Sequence, residues 1–363
     1  MIGTSEKHFS RIDSLTSCKL LFSNSIHGEA EGILLRSRLQ ATARRMGFSD
    51  AQRENMVLVA AEMVSNQIKY AGSRGMLQIW QQPGPTLDLV ALDFGPGISN
   101  LSQAHQDGFS TSKTLGKGLG TIRSLSHESG VYTLPEATNA GVDARWHGCV
   151  FWSRFNPGQK APITEASKGT RKAEFQIGLF SRALTNDRFN GDRIYLEQHH
   201  GNLRWLHLDG LGHGEQAEQA TDHLADTLFL SPDLLEVLNR VDQRLKLTRG
   251  AVAMLSDLDS TGRQAQIVGV GDMRAYSYVE DQLQNLTFAP GILGKEHKTP
   301  RVTQVELIKQ STVITASDGI RRSWSETTFP GLLKQHPQLI AYVLGNIMGR
   351  ASDDQSLCVI RIE

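Results

Sequence analysis

The reading of the chain turns on Asp209-Gly-Leu-Gly-His-Gly214, which follows an apolar, alternating run from Leu203 to Leu208 and precedes a helix-like segment from Glu215 to Leu230. That layout predicts an acid at the end of a strand. A carboxylate there, followed by glycines that let backbone carbonyls approach closely, suits a hard cation such as Mg2+ or Mn2+, which takes oxygen ligands. Asp-Gly is also a common turn pair, so the pair alone is open to a plain turn reading. Three other stretches share its chemistry: Gly191-Asp192, Ala316-Ser317-Asp318-Gly319 and Ser352-Asp353-Asp354. A hairpin turning near His200-Gly-Asn202 would join Asp192 to Asp209, while Asp318 follows the strand Thr312 to Thr315 and Asp353 precedes the strand Leu357 to Ile362. Acids scattered in sequence but gathered at strand edges can converge on two cations, which lower the pKa of a bridging water for in-line attack on phosphorus. The carboxylates then serve as ligands and not as nucleophiles.

Around this stretch the order is a strand from Phe175 to Ser181, one ending near Tyr195, the strand into Asp209, and two helical segments, the second from Leu234 to Leu247. Strands follow at Ala251 to Leu258, Gln264 to Gly271 and Arg274 to Tyr278, and a helix is expected from Pro337 to Met348. Mixed strands with helices grouped in pairs predict α+β layers and not a parallel doubly wound sheet.

With 363 residues, the chain is longer than a single core usually grows. Between Asn156 and Lys172 it is rich in Pro, Gly, Lys, Ser and Thr, which predicts a linker over 156–172 between domains at 1–155 and 173–363. In the first domain, Glu29 to Met46 reads as a helix with Ile33, Leu34 and Leu39 inward. Ser49 with Gln52 looks like a capping box for a second helix reaching Tyr70, on which Val57, Ala60, Ala61, Val64 and Ile68 face the core. Strands are expected at Leu77 to Trp80, Leu87 to Leu92, Val131 to Leu134 and Gly148 to Arg154, with a helix opening at Thr121 to His127.

Several residues here share one chemical reading. Glu62 and Asn66 stack one helical turn apart, Asp93 ends a strand before Gly95-Pro96-Gly97, and Gly116-Lys117-Gly118-Leu119-Gly120 precedes a helix. Asn66 offers a neutral oxygen to Mg2+, Asp93 accepts a hydrogen bond from an exocyclic amine, and the glycine run presents N–H groups to phosphates. Glu62 would sit near the terminal phosphate as a general base. Each feature alone also fits a solvated helix face, a turn or a loop.

Glu62-Met-Val-Ser-Asn66, Asp93-Phe-Gly-Pro-Gly97, Asp107-Gly-Phe-Ser-Thr-Ser112 and Gly116-Lys-Gly-Leu-Gly120 resemble the boxes of the GHKL (Bergerat-fold) ATPases, in the branch of the anti-sigma and RsbT-like serine kinases. The resemblance implies an N-terminal Bergerat-fold α/β sandwich binding ATP. Asn66 would hold Mg2+, Asp93 the adenine, Gly97 and the loop of Gly116, Lys117, Gly118 and Gly120 the base and phosphates, and Glu62 would activate a substrate serine. His8 and His27 lack the helical setting of a sensor histidine kinase. The acid motifs Gly191-Asp192, Asp209 to Gly214, Ser317-Asp318-Gly319 and Asp353-Asp354-Gln-Ser356 resemble those of the SpoIIE and RsbX branch of type 2C metal-dependent phosphatases. That resemblance implies a C-terminal α-β-β-α sandwich holding two Mn2+ or Mg2+. Asp209 would bridge them, helped by the Gly210 carbonyl, with Asp192, Asp318 and Asp353 as further ligands and Asp354 outside the set. No arginine presents itself for the substrate phosphate, Arg182, Arg188 and Arg193 being only near in sequence, and His213 reads as a loop residue.

A kinase-like module fused to a phosphatase-like one suggests writing and erasing one phosphate on a STAS-domain protein of a partner-switching pathway, the linker keeping both sites near one partner. The alternative is a phosphatase whose first domain senses ATP or sequesters a partner without phosphorylating it. A formal net charge of +0 disfavours nucleic acid, and Cys18, Cys149 and Cys358 form no metal or disulfide pattern. No run approaches the ~20 apolar residues of a spanning helix and Met1 to Asp13 lacks a signal-peptide core, so a soluble, cytoplasmic protein with no membrane partner is expected.

Overall fold

The computed structural model describes residues 18–101, 115–136, 146–158, 175–184 and 187–363. The N-terminal unit runs β1 (Lys19–Ile26), α1 (Glu29–Arg45), α2 (Asp50–Ala71), β2 (Gly75–Gln81), β3 (Leu87–Asp93), α3 (Leu115–Leu125), β4 (Glu128–Leu134) and β5 (Gly148–Phe155). Helix α2 starts in the expected box, with Ser49 accepting from the Gln52 N–H, and stops at Gly72, whose φ of 60° needs glycine. The strands form an antiparallel sheet in the order β1-β2-β3-β5-β4. Alternation along β2 and β3 sends Leu77, Ile79, Leu89 and Ala91 towards the helices, where they meet Leu39, Met56, Val59 and Met63. The same alternation sends Trp80, Val90 and Leu92 to the opposite face.

In the C-terminal unit β6 (Phe175–Arg182), β11 (Arg274–Val279), β12 (Gln282–Leu286), β14 (Thr312–Ala316) and β15 (Gln355–Ile362) form one sheet, in the order β12-β11-β14-β15-β6. The other contains β7 (Asp192–His199), β8 (Asn202–Gly210), β9 (Ala251–Leu258), β10 (Gln264–Val270) and β13 (Thr303–Glu306), ordered β13-β10-β9-β8-β7. Trp205, Met254 and Ile267 of this second sheet interleave with Ala275, Val313 and Ile360 of the first. Helices α4 (Glu215–Thr221) and α5 (Leu234–Leu245) close its outer side. Helix α6 (Pro337–Met348) covers the outer side of the first sheet, completing an α-β-β-α sandwich.

Helix α6 has a second neighbour. It is apolar nearly all round, as suits a helix with no solvent face, and its other side packs on Trp80, Val90, Leu92 and Trp152 of the N-terminal sheet. Polar groups are paired across this seam. Arg154 grips the fully buried Asp88 through two 2.8 Å bonds, and Tyr342 donates to Asp88 Oδ2 at 2.8 Å. Gln82 donates to the Tyr342 hydroxyl at 2.8 Å, and Arg154 donates to Gln338 Oε1 at 2.9 Å. One helix therefore serves the cores of both units.

Several expectations are corrected. Ile33 and Leu34 are 71% and 49% exposed, because the buried stripe of α1 is Leu35, Leu39 and Ala43 at four-residue spacing. On α2, Ala60 and Val64 are buried in the core with Val57 and Ile68 packed against it, as expected, whereas Ala61 is exposed and the core-facing set also includes Met56, Val59 and Met63. The segment Glu215 to Leu230 is not one helix: α4 ends at Thr221 because Asp222 is extended and His223 takes φ 58°. The strand expected to end near Tyr195 begins at Asp192 and continues to His199. Gly116 to Gly120 lie within α3 and not in a loop before it. Strands β1, β12 and β13, whose residues are largely half-exposed, are additional to those expected. His8, Asp107 to Ser112 and most of the linker at 156–172 lie outside the described residues.

Candidate functional site

The first candidate site runs along α2. Glu62 and Asn66 share a face, and a Cβ on Gly118 of α3 would come within 2.8 Å of Glu62 Oε2 and 3.7 Å of the Asn66 amide. Asn66 is only 7% exposed, yet its Nδ2 has no hydrogen-bond partner. A buried amide left unpaired costs about 1–3 kcal/mol, and a flip would present its oxygen instead, so this group fits a ligand with a bound cation. Five residues further, about 7.5 Å along the helix axis, Ala71 meets Gly95, whose N–H donates to Asp93 Oδ1 at 2.9 Å. Cys149 N–H donates to the same oxygen at 3.2 Å. Burial raises the Asp93 pKa above the ordinary carboxylate value, opposed by those N–H groups, Arg74 and His147. Gly97 takes φ 73°, and a Cβ there would strike Leu134 O at 2.7 Å, so the turn after Asp93 requires glycine. Gly116, Lys117, Gly118 and Gly120 occupy the first turns of α3.

The second site lies at strand ends in the C-terminal unit. Hairpin register pairs Asp192 directly with Asp209. Asp318 follows β14 and Asp353 precedes β15, and those strands pair antiparallel, so the two acids lie at the same sheet end. Burial first, then Asp192, Asp318, Asp353 and Asp272, push Asp209 well above the usual carboxylate range. The N–H of Gly210 donates to Gly191 O at 3.1 Å, and a Cβ on Gly210 would lie 2.5 Å from Ala217 O, so this strand end admits only glycine. Among the described residues no three His, Cys, Asp or Glu side chains close tightly enough to ligate one ion as they stand. The donor set nevertheless fits divalent cations in kind: crowded carboxylates, one with a buried oxygen, Asp192 Oδ1, that has no partner.

Beneath Asp192 runs a chain of polar groups. Ser356 donates to Asp192 Oδ2 at 2.7 Å, so its oxygen must accept from His207 Nε2, also at 2.7 Å. Burial lowers the His207 pKa to about 3, keeping the ring neutral, and the Thr315 hydroxyl donates to Nδ1 at 2.9 Å. This Thr315–His207–Ser356 relay fixes the carboxylate with Oδ1 unengaged. Asp354 acts differently: Oδ1 accepts from Leu184 N–H and Oδ2 from Gly191 N–H, clamping two loops. Arg182 is tied to Gln355, Arg193 pairs with Asp222, and Arg188 lies over the Phe189 ring. His213 is exposed in its loop.

Residues 31–146 match the histidine kinase-like ATPase domain. The serine/threonine-protein kinase RsbT of Bacillus subtilis (strain 168) is 33% identical over 114 residues, which span 31% of this chain and 81% of RsbT. The chain belongs to this ATPase family. A solved bacterial stressosome chain is 23% identical with a TM-score of 0.48, the match covering 52% of this chain and 100% of that one. RsbX in complex with magnesium is 18% identical with a TM-score of 0.46, covering 54% of this chain and 98% of its own.

The matched ATPase segment contains Glu62, Asn66, Asp93, Gly97 and the Gly116 to Gly120 run. Outside it, sequence reasoning misses Asp272, which bears on both Asp209 and Asp318. Its signal is Gly271-Asp272, the same pair as Gly191-Asp192, at the end of β10. His207 is also missed, because a lone histidine inside an apolar strand carries no signal of the hydroxyls it will meet.

Proposed function

We propose that the chain regulates a protein partner by hydrolysing its phosphoserine at the C-terminal acid cluster and by phosphorylating it from ATP bound in the N-terminal domain. The observation that carries this reading is the pairing of Asp192 with Asp209 across a hairpin, with Asp318, Asp353 and Asp272 acting electrostatically on Asp209. Asp192, Asp209, Asp318, Asp353 and the Gly210 carbonyl would hold two Mn2+ or Mg2+. Bound there, the cations would supply Lewis acidity and a water nucleophilic at neutral pH. The relay from His207 through Ser356 keeps Asp192 oriented, and Asp354 holds the 184 and 191 loops around the site.

In the ATPase domain Asn66 would hold Mg2+, Asp93 the adenine amine, and Gly97 with Gly116, Lys117, Gly118 and Gly120 the nucleotide. Glu62 would take the proton of the attacking serine hydroxyl. The kinship with RsbT supports a STAS-domain protein of a partner-switching pathway as the substrate.

The test is metal-dependent phosphate release from a phosphorylated STAS-domain protein, wild type against Asp209→Asn. Release lost in the variant supports the phosphatase; none from the wild type with Mn2+ or Mg2+ sinks it. ATP-dependent phosphorylation of the same partner, lost in Glu62→Gln with partner binding retained, supports the kinase.

A second reading, in which the N-terminal domain senses ATP and gates the phosphatase, is favoured by α6. Both faces of that helix are occupied, so a shift of the N-terminal sheet would be passed to the sheet that carries Asp318 and Asp353. It predicts that ATP changes the phosphatase rate on a small phosphate ester with no partner present.

A further inference from the structure

Arginines converge on the loops that carry two of the acids. The backbone N–H of Arg350 donates to Gly319 O at 2.8 Å, and that of Arg321 donates to Met348 O at 2.8 Å. These bonds, with the bridge between Ile320 and Gly349, lace the loop after Asp318 to the loop before Asp353. Arg322 and Arg350 are exposed, and among the described residues neither guanidinium has a hydrogen bond or a carboxylate within ion-pair distance. Arg274 opens β11 opposite Ala316, two residues before Asp318. It is only 6% exposed, it gives one N–H to the Ile320 carbonyl, and its Nε has no partner. Burial, then Arg322 and Arg350, lower its pKa, while Arg274 and Arg350 both act on Asp318. Guanidiniums drawn together with no carboxylate in ion-pair contact, beside acids that would themselves be occupied by cations, leave a place for an anion with several acceptor oxygens.

We propose that Arg322 and Arg350, with the buried Arg274 beside them, seat the phosphate dianion of the phosphoserine substrate against the acid cluster. This deepens the phosphatase reading and rests on it. The planar forks bind two phosphate oxygens and turn the ester bond towards the acids, a task Arg182 and Arg193 cannot perform because both are engaged elsewhere. Arg322 and Arg350 act through contact with substrate; Arg274 is a positioning residue that holds the Ile320 carbonyl and so the loop bearing Arg322.

The test uses the full chain with Mg2+. Inorganic phosphate is titrated by calorimetry, and hydrolysis of p-nitrophenyl phosphate is followed in parallel. The double variant Arg322→Ala, Arg350→Ala should weaken phosphate binding and raise KM by about 10–100-fold, the loss expected for charge-assisted hydrogen bonds, with Mg2+ affinity and Tm unchanged. Replacement by Lys at both positions should restore part of the loss. Arg274→Lys, which keeps the buried charge, should shift KM less. Unchanged phosphate affinity in the double variant overturns the proposal, and so does a loss of Mg2+ binding, which would make the arginines supports of the loops alone. A wild type that binds phosphate through these arginines but hydrolyses nothing overturns the phosphatase reading instead.

Discussion

The two candidate sites are built in opposite ways. In the ATPase domain the acid is sparse: Glu62 and Asn66 occupy one face of one helix, and α3 brings Gly118 against them. In the C-terminal unit the acids are crowded at strand ends, and Asp192, Asp209 and Asp318 are raised by burial and then by neighbouring carboxylates. A helix supplies neighbours four residues apart, so its site is compact in sequence. Strand ends gather residues from distant parts of the chain, which permits a higher charge density but requires cations to offset it.

That contrast can be broken by experiment. The largest effect is expected from Asp209→Asn, which should lower cation-dependent phosphate release by about 10³-fold or more. It should also abolish the rise in Tm on adding Mn2+, a rise corresponding to about 3 kcal/mol at a hundredfold excess over Kd. Asp88→Ala strands Arg154 in the seam and should cost about 3–5 kcal/mol in chemical denaturation, with both units losing stability together. If only one unit loosened, the sharing of α6 would be structural coincidence. Asn66→Ala should remove stabilisation by Mg-ATP while leaving that by Mn2+ alone intact, read as two thermal shifts on one protein. Ser356→Ala interrupts the relay to Asp192 and should weaken Mn2+ binding about 10–100-fold by calorimetry, with the fold retained.

The smallest effect concerns pH. His336 caps α6, stacks on Trp152, and has its pKa lowered to about 3 by burial, then by Arg154 and Arg361. The folded protein therefore binds fewer protons than the unfolded chain between the ordinary histidine value and about 3. Its contribution is present above about 6.5 and is lost as pH falls through that window. The wild type should lose more stability than His336→Asn between pH 7 and 4.5, the Asn oxygen replacing His336 Nδ1 as acceptor for the Gln338 N–H; equal losses would remove His336 from the account.

Much of this was legible in the chain. Period-two runs gave the strands flanking Asp93 and Asp209, and Ser49 with Gln52 marked the start of α2. The acids at 192, 209, 318 and 353 stood out because each borders an apolar run. What escaped was set by partners distant in sequence. Ile33 and Leu34 are as apolar as Leu35, and only the position of the sheet decides which of them is covered. His207 and Arg274 look unremarkable until Ser356, Thr315 and Ile320 arrive beside them. Helix α6 was legible as a helix over Pro337 to Met348, but not that two different sheets would claim it.

That double claim bears on how the protein is made. Strand β5 completes the N-terminal sheet when Trp80, Val90 and Trp152 still lack their cover, and α6 leaves the ribosome roughly 180 residues later, on the order of 10–40 s at ordinary elongation rates. During that interval a nearly finished nucleotide-binding domain carries a bare aromatic face. The nascent chain thus waits on its own distal segment, and a stall in translation between the two would leave a sticky intermediate for chaperones to hold.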